Sequence, residues 1–186
     1  MQIFIKNMVC NRCITAVEDV FRNSEIDFVS VNLGWVDIST EISKNQLEKL
    51  NENLKKIGFE ILEDASQKQI ESIKKLILEK VQNLDIDEDF LLSKYLSEQL
   101  NKEYSSISKV FSQTENITLE QYFILQKIEK VKELLIYREL TLSQIADKLG
   151  YKTVQHLSQQ FKKITGFSPS QFQELKEKKR LPIDFI

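Results

Sequence analysis

Cys10 and Cys13 are the only cysteines of this 186-residue chain, and they stand three positions apart in "MVCNRC". A C-x-x-C pair offers soft-metal ligation, thiol–disulfide exchange, or packing alone. Ile14, Val17, Val20 and Phe21 follow at helical spacing, which predicts Cys13 in the first turn of a helix. Unpaired N–H groups and the helix dipole favour a thiolate there, and Arg12 adds positive charge. With no His or carboxylate between them, two thiolates suit a soft ion: Cu(I) first, then Zn(II) or Hg(II). Met8 is expected to pack under the loop without ligating. A closed zinc site needs four ligands, and the lone His156 lies far along the chain. A thioredoxin-like pair would want a proline partner, but the only prolines are Pro169 and Pro182.

The other chemistry-bearing residues lie near the C-terminus. "LSQIADKLG" reads as a short amphipathic helix, Gly150 as a turn, and "TVQHLSQQFKKIT" as a second helix. The spacing predicts Leu157, Phe161 and Ile164 inward, and Gln155, Ser158, Gln159 and Lys162 outward. Gln can bond adenine bidentately, Ser can bond several bases, and Lys supports the phosphate backbone. A gap-free repeat at an offset of 50 residues places Ile107, Ser108 and Phe111 opposite Leu157, Ser158 and Phe161. The first copy therefore presents Ser105, Ser108, Lys109 and Ser112, a weaker set for reading bases. Between the copies, "TLEQYFILQKIEKVKELLIYREL" is a continuous helical pattern of about 20 residues, roughly 30 Å long. Successive major-groove openings on one face of B-DNA are about 34 Å apart. A rigid connector of that length suits two helices in neighbouring grooves.

The thiol pair needs a different frame. "QIFIKN" alternates as a half-buried strand, and "DFVSVNL" and "WVDIST" read as a hairpin around Gly34. "KNQLEKLNENLKKIG" is a helix ended by Gly58, and "FEILE" is a last strand. The order βαββαβ predicts a ferredoxin-like layer of two helices on an antiparallel sheet. The expected fold class is α+β: this domain over residues 1–65, then an all-α double helix-turn-helix domain with a long connecting helix over 66–186.

Met8-x-Cys10-x-x-Cys13 in a βαββαβ frame resembles the heavy-metal-associated domain of copper chaperones and metal-pumping ATPases. Gly58–Phe59 before the last strand extends the match over 1–65, and Asn7 departs from it where that family usually has Gly. "YKTVQHLSQQFKKITGFSPSQFQ" resembles the DNA-binding domain of AraC-family transcription regulators, over about residues 70–175. That resemblance implies DNA contacts by Val154, Gln155, Ser158 and Gln159, and by Ser105, Ser108 and Lys109 in the first copy. Many AraC-family members carry a small-molecule-binding β-barrel at the N-terminus, and here the metal-type domain stands in its place.

Charge divides along the same line. Residues 1–65 hold 7 Lys+Arg against 11 Asp+Glu, whereas residues 148–180 hold 8 against 2. The basic C-terminal stretch, including "KEKKR" at 176–180, supplies the field that phosphate attraction needs. No apolar run approaches the roughly 20 residues of a membrane span, and no signal peptide precedes the first strand, so the cytoplasm is the expected location. A hydrolase is disfavoured, because the single His offers no base beside the thiols.

The expected function is a non-enzymatic, metal-responsive transcription regulator that binds promoter DNA, with Cu(I) the first candidate effector and RNA polymerase a further partner. A loop with two thiols also allows an ion shared between chains, which would make a homodimer metal-dependent. Two rivals stand beside this reading: a metallochaperone or metal buffer with a helical interaction module, and a thiol–disulfide redox protein.

Overall fold

The computed structural model describes residues 1–62 and 65–175, in two compact units, Met1–Lys75 and Leu76–Ile186. The first unit contains β1 (Gln2–Lys6), α1 (Asn11–Asn23), β2 (Phe28–Asn32), β3 (Trp35–Ile38), α2 (Lys44–Lys55) and β4 (Glu60–Leu62). Its four strands form one sheet in the order β2-β3-β1-β4, with every neighbouring pair antiparallel. Period-two alternation sends Ile3 and Ile5 of β1 to one face, where they meet Val36 and Ile38 of β3, Val17 and Phe21 of α1, and Leu50 and Leu54 of α2 in one buried cluster.

Local signals fix the ends of these elements. Ser43 caps α2 in a capping box with Gln46. Gly58, at φ +87°, terminates it: its N–H donates to the Lys55 carbonyl while the Phe59 N–H reaches back to Leu54.

Phe4 pairs in register with Trp35 and belongs to the other face of the sheet. The first part of α3 (Ala65–Gln82) covers that face. Lys68 Nζ lies 4.8 Å from the Phe4 ring centroid and Lys75 Nζ 4.1 Å from that of Trp35, while Ile70 and Ile73 are buried. The division between the units falls inside α3, at Lys75/Leu76, whereas the composition shift suggests a boundary at its start.

The second unit is helical: α4 (Leu92–Leu100), α5 (Tyr104–Glu115), α6 (Leu119–Tyr137), α7 (Leu142–Lys148), α8 (Val154–Thr165) and α9 (Pro169–Glu174) follow the end of α3. The repeat seen in sequence is a repeat of contacts. Phe111 of α5 packs on Tyr122 of α6 with ring centroids 5.4 Å apart, and Phe161 of α8 packs on Phe172 of α9 at 5.5 Å. Leu119, Val131, Leu134 and Leu135 bury much of α6, so the connector is a core helix of its unit.

The copies differ in their caps. Thr141 caps α7 in a capping box with Gln144, and Thr153 accepts from the His156 N–H at the start of α8. In the first copy the equivalent positions are Leu91 and Glu103, and neither makes a side-chain cap. Among the described residues no helix is long and apolar enough to cross a membrane.

Candidate nucleic-acid interface and thiol pair

The second helical pair presents a polar stripe because its apolar residues are consumed on the reverse side. Leu157 and Phe161 of α8 are both 0% exposed. Gln155, Gln159 and Lys162 are exposed and Ser158 is half-buried, at i, i+3/i+4 and i+7 spacing along one side. These side chains lie where the spacing predicts. Val154 is half-buried and packs against the core, so only part of it is accessible. Ile164 corrects the sequence reading: it is 37% exposed, in the last turn before the Gly166 cap and outside the core cluster that holds Leu157 and Phe161.

In the first copy Ile107 and Phe111 are likewise fully buried, Ser105 and Lys109 are exposed, and Ser108 and Ser112 are half-buried. Its stripe offers hydroxyls and one cation, so it can bond phosphates more readily than it can distinguish bases. The basic run at 176–180 lies outside the described residues.

Gly150 forms the turn that the sequence predicts, but the contacts that position α8 through it escape sequence reasoning. Gly150, in the turn between α7 and α8, has φ +65° and abuts the chain following α3. There the Ile86 N–H donates to the Lys148 carbonyl at 3.2 Å, and Ile86 forms a parallel bridge with Leu149. Tyr151, buried beside Gly150, donates its hydroxyl to Gln160 Oε1 of α8 at 2.6 Å. Thr153 could have been found from its place just ahead of an apolar-periodic run, whereas the approach of Ile86 leaves no local sequence trace.

Lys127 of α6 is 7% exposed, with Nζ 3.7 Å from the Tyr151 ring centroid and 5.4 Å from that of Phe123. Burial draws its pKa down to about 8 from the ordinary 10.5, while the aromatic faces favour the cation and oppose that pull. Because the folded value is the lower one, the unfolded chain binds more protons between about pH 8 and about pH 10, and this group's contribution to stability rises with pH across that window. Denaturant unfolding of the native chain and of Lys127→Met should therefore shift in the native chain's favour, by roughly 2 kcal/mol, from pH 8 to pH 10. A pH-independent difference would show that Lys127 does not lose its proton in the fold.

The thiols sit at the start of α1. Cys10 is the N-cap, with extended backbone, and Cys13 lies in the first turn, its N–H donating to the Cys10 carbonyl at 2.9 Å. The two sulfurs are 3.6 Å apart and unbridged. Burial pushes the Cys10 thiol up, but the neighbouring Cys13 and Arg12 groups together bring it below its ordinary value. Burial pushes Cys13 up, outweighing the Val9 and Cys10 backbone, and a charge on Cys10 pushes it further. Both sulfurs therefore meet the same opposition: the backbone groups at the start of α1 favour a thiolate, and packing resists it.

The pair fits a soft ion. A separation of 3.6 Å allows one ion about 2.3 Å from each sulfur, the usual metal–thiolate distance for zinc. Among the described residues no group of three or more His, Cys, Asp and Glu could hold a metal ion, and the loop itself offers two sulfurs. Met8 is buried in the core beneath the loop.

The helix-turn-helix domain family matches residues 96–175. Over 107 residues the chain is 28% identical to the probable transcriptional regulator LumQ of Photobacterium leiognathi, covering 50% of this chain and 42% of LumQ. Over 79 residues it is 25% identical to the Msm operon regulatory protein of Streptococcus mutans, covering 42% of this chain and 28% of that protein. The chain thus spans less than half the length of either relative. Among solved structures, the C-terminal domain of the two-component response regulator yesN from Fusobacterium nucleatum is 30% identical, with 55% of this chain and 99% of that domain covered and a TM-score of 0.48. The family match overlaps the two helical pairs described above, of which the second is capped by side chains and the first is not.

Proposed function

We propose that this chain is a DNA-binding transcription regulator of the AraC type, acting in the cytoplasm and responsive to a soft metal ion, Cu(I) first. The observation that carries the DNA half is the exposed stripe of Gln155, Gln159 and Lys162, with Ser158, on a helix whose reverse side is fully buried, repeated more weakly by Ser105, Ser108 and Lys109. The two matched relatives, a probable transcriptional regulator and an operon regulatory protein, support it. Gln155 and Gln159 would read adenine edges in the major groove, with Val154 and Ser158 beside them and Lys162 on a phosphate. The 19-residue α6, about 29 Å long at helical rise, suits two helices engaging neighbouring grooves.

For the metal half, the βαββαβ order and the strand neighbours support a ferredoxin-like domain of the heavy-metal-associated type. Cys10 and Cys13 would hold the ion, which when bound supplies a cross-link between two sulfurs of one loop. The expected consequence is a change in promoter affinity or in contact with RNA polymerase.

The test is a genomic binding-site selection with anaerobically purified protein, with and without Cu(I), beside a Cys10→Ser, Cys13→Ser control. One enriched motif with steep salt dependence is expected, together with bound Cu(I) that the control lacks. Failure to enrich any motif would remove the regulator reading. Equal promoter affinity and equal transcription with and without Cu(I) would remove the sensing reading alone.

A further inference from the structure

Asn7 holds the thiol loop by three contacts that come from three different elements. Its side-chain Nδ2 donates to the Gly58 carbonyl, beyond the end of α2, at 2.9 Å. Its backbone N–H donates to Glu71 Oε2, on α3, at 3.3 Å. Its carbonyl oxygen lies 4.0 Å from Cys13 Sγ, on α1. The residue has φ +71°, a left-handed conformation that Asn tolerates better than other side chains with a Cβ. Glu71 is only 14% exposed and lies 4.0 Å from Lys74 Nζ, so it is a held carboxylate, not a free surface one.

We propose that Asn7 and Glu71 are positioning residues that couple the thiol pair to α3, so that a soft ion taken up by Cys10 and Cys13 alters the docking of α3 on the sheet. The inference rests on the metal reading of the thiol pair. Coupling needs an element with two arrangements that both ends can bias. The Asn7 backbone is where the two ends meet: it has a left-handed φ and is held by hydrogen bonds to Gly58 and Glu71. An ion shared by the two sulfurs acts on Cys13 Sγ, the atom already in contact with the Asn7 carbonyl. At the other end, a carboxylate accepting a backbone N–H makes a charge-assisted bond, stronger than a neutral acceptor would make. Glu71 lies on the part of α3 that covers Phe4 and Trp35, between the Lys68 and Lys75 contacts.

Amide hydrogen exchange of the full chain, with and without Cu(I), tests this, with Cu(I) uptake measured on the same samples by competition against a chromophoric chelator. In the native chain, Cu(I) should change exchange of the Asn7 amide and of amides in 66–75 by about tenfold. Glu71→Ala should still take up Cu(I) but lose the response in 66–75, and Glu71→Gln, which keeps an oxygen acceptor, should recover part of it. If Glu71→Ala does not fold, Glu71→Gln is compared with Asn7→Gly, which keeps the backbone N–H and tolerates the left-handed backbone; Asn7→Gly should retain more of the response than Glu71→Gln. Bound Cu(I) with unchanged exchange in 66–75, a native-like response from Glu71→Ala, or Glu71→Gln matching or exceeding Asn7→Gly overturns the coupling while leaving the metal site standing. A native chain that takes up no Cu(I) overturns both, and the chelator competition reads that outcome directly.

Discussion

Gly150→Ala should destabilise the helical unit by about 3 kcal/mol and abolish DNA binding well below the unfolding midpoint of the native chain. Two costs add. The residue has φ +65°, where any Cβ carries a penalty of about 1 kcal/mol. A Cβ built there would lie 2.6 Å from the Asp87 carbonyl oxygen, 2.7 Å from Ile86 Cγ2 and 3.0 Å from the Ile86 carbonyl oxygen, an overlap costing about 1–3 kcal/mol. The neighbours cannot simply retreat. Ile86 is buried, its N–H is committed to the Lys148 carbonyl, and it bridges Leu149. Relief therefore has to come from the turn itself, and the turn sets where α8 begins. The measurement is urea unfolding followed by DNA titration under conditions where the variant remains folded. An unchanged midpoint would mean that the 86–87 segment does not hold the turn.

Gln155→Ala with Gln159→Ala tests the opposite kind of site, one where stability should not move. Both side chains are exposed, so the unfolding midpoint is expected to stay within about 0.5 kcal/mol of the native value. Each bidentate base contact is worth about 1–3 kcal/mol of discrimination, so the pair should cost at least about 30-fold in affinity for the selected motif. Affinity for unrelated DNA should barely change. Lys162→Ala should instead weaken all sequences similarly and lower the salt dependence by about one counterion. Competition titrations at two salt concentrations separate these patterns. Equal loss on specific and unrelated DNA from the glutamine variant would show that α8 does not read bases.

Periodicity carried the sequence reading wherever one face of an element is apolar. Leu157 and Phe161 gave α8 its buried side, because burial of those side chains leaves few ways to orient the element, whereas the half-buried strand read in "QIFIKN" has both faces covered, Ile3 and Ile5 by the core and Phe4 by α3. The same reasoning failed at Ile164, since periodicity assigns a direction but cannot say where the neighbouring helices stop. It placed Cys13 in the first turn of a helix, where the structure has it, but carried no information on how deeply either sulfur is packed.

By itself, the sequence determined the two-part organisation, the fifty-residue repeat and the polar stripe on each second helix, all of which follow from local spacing and turn residues. Tertiary structure alone decided that α3 covers the free face of the sheet, that Glu71 reaches the Asn7 amide, and that Ile86 closes on Gly150. Those contacts join residues far apart in the chain through single atoms, and neither composition nor period encodes which distant atom will arrive.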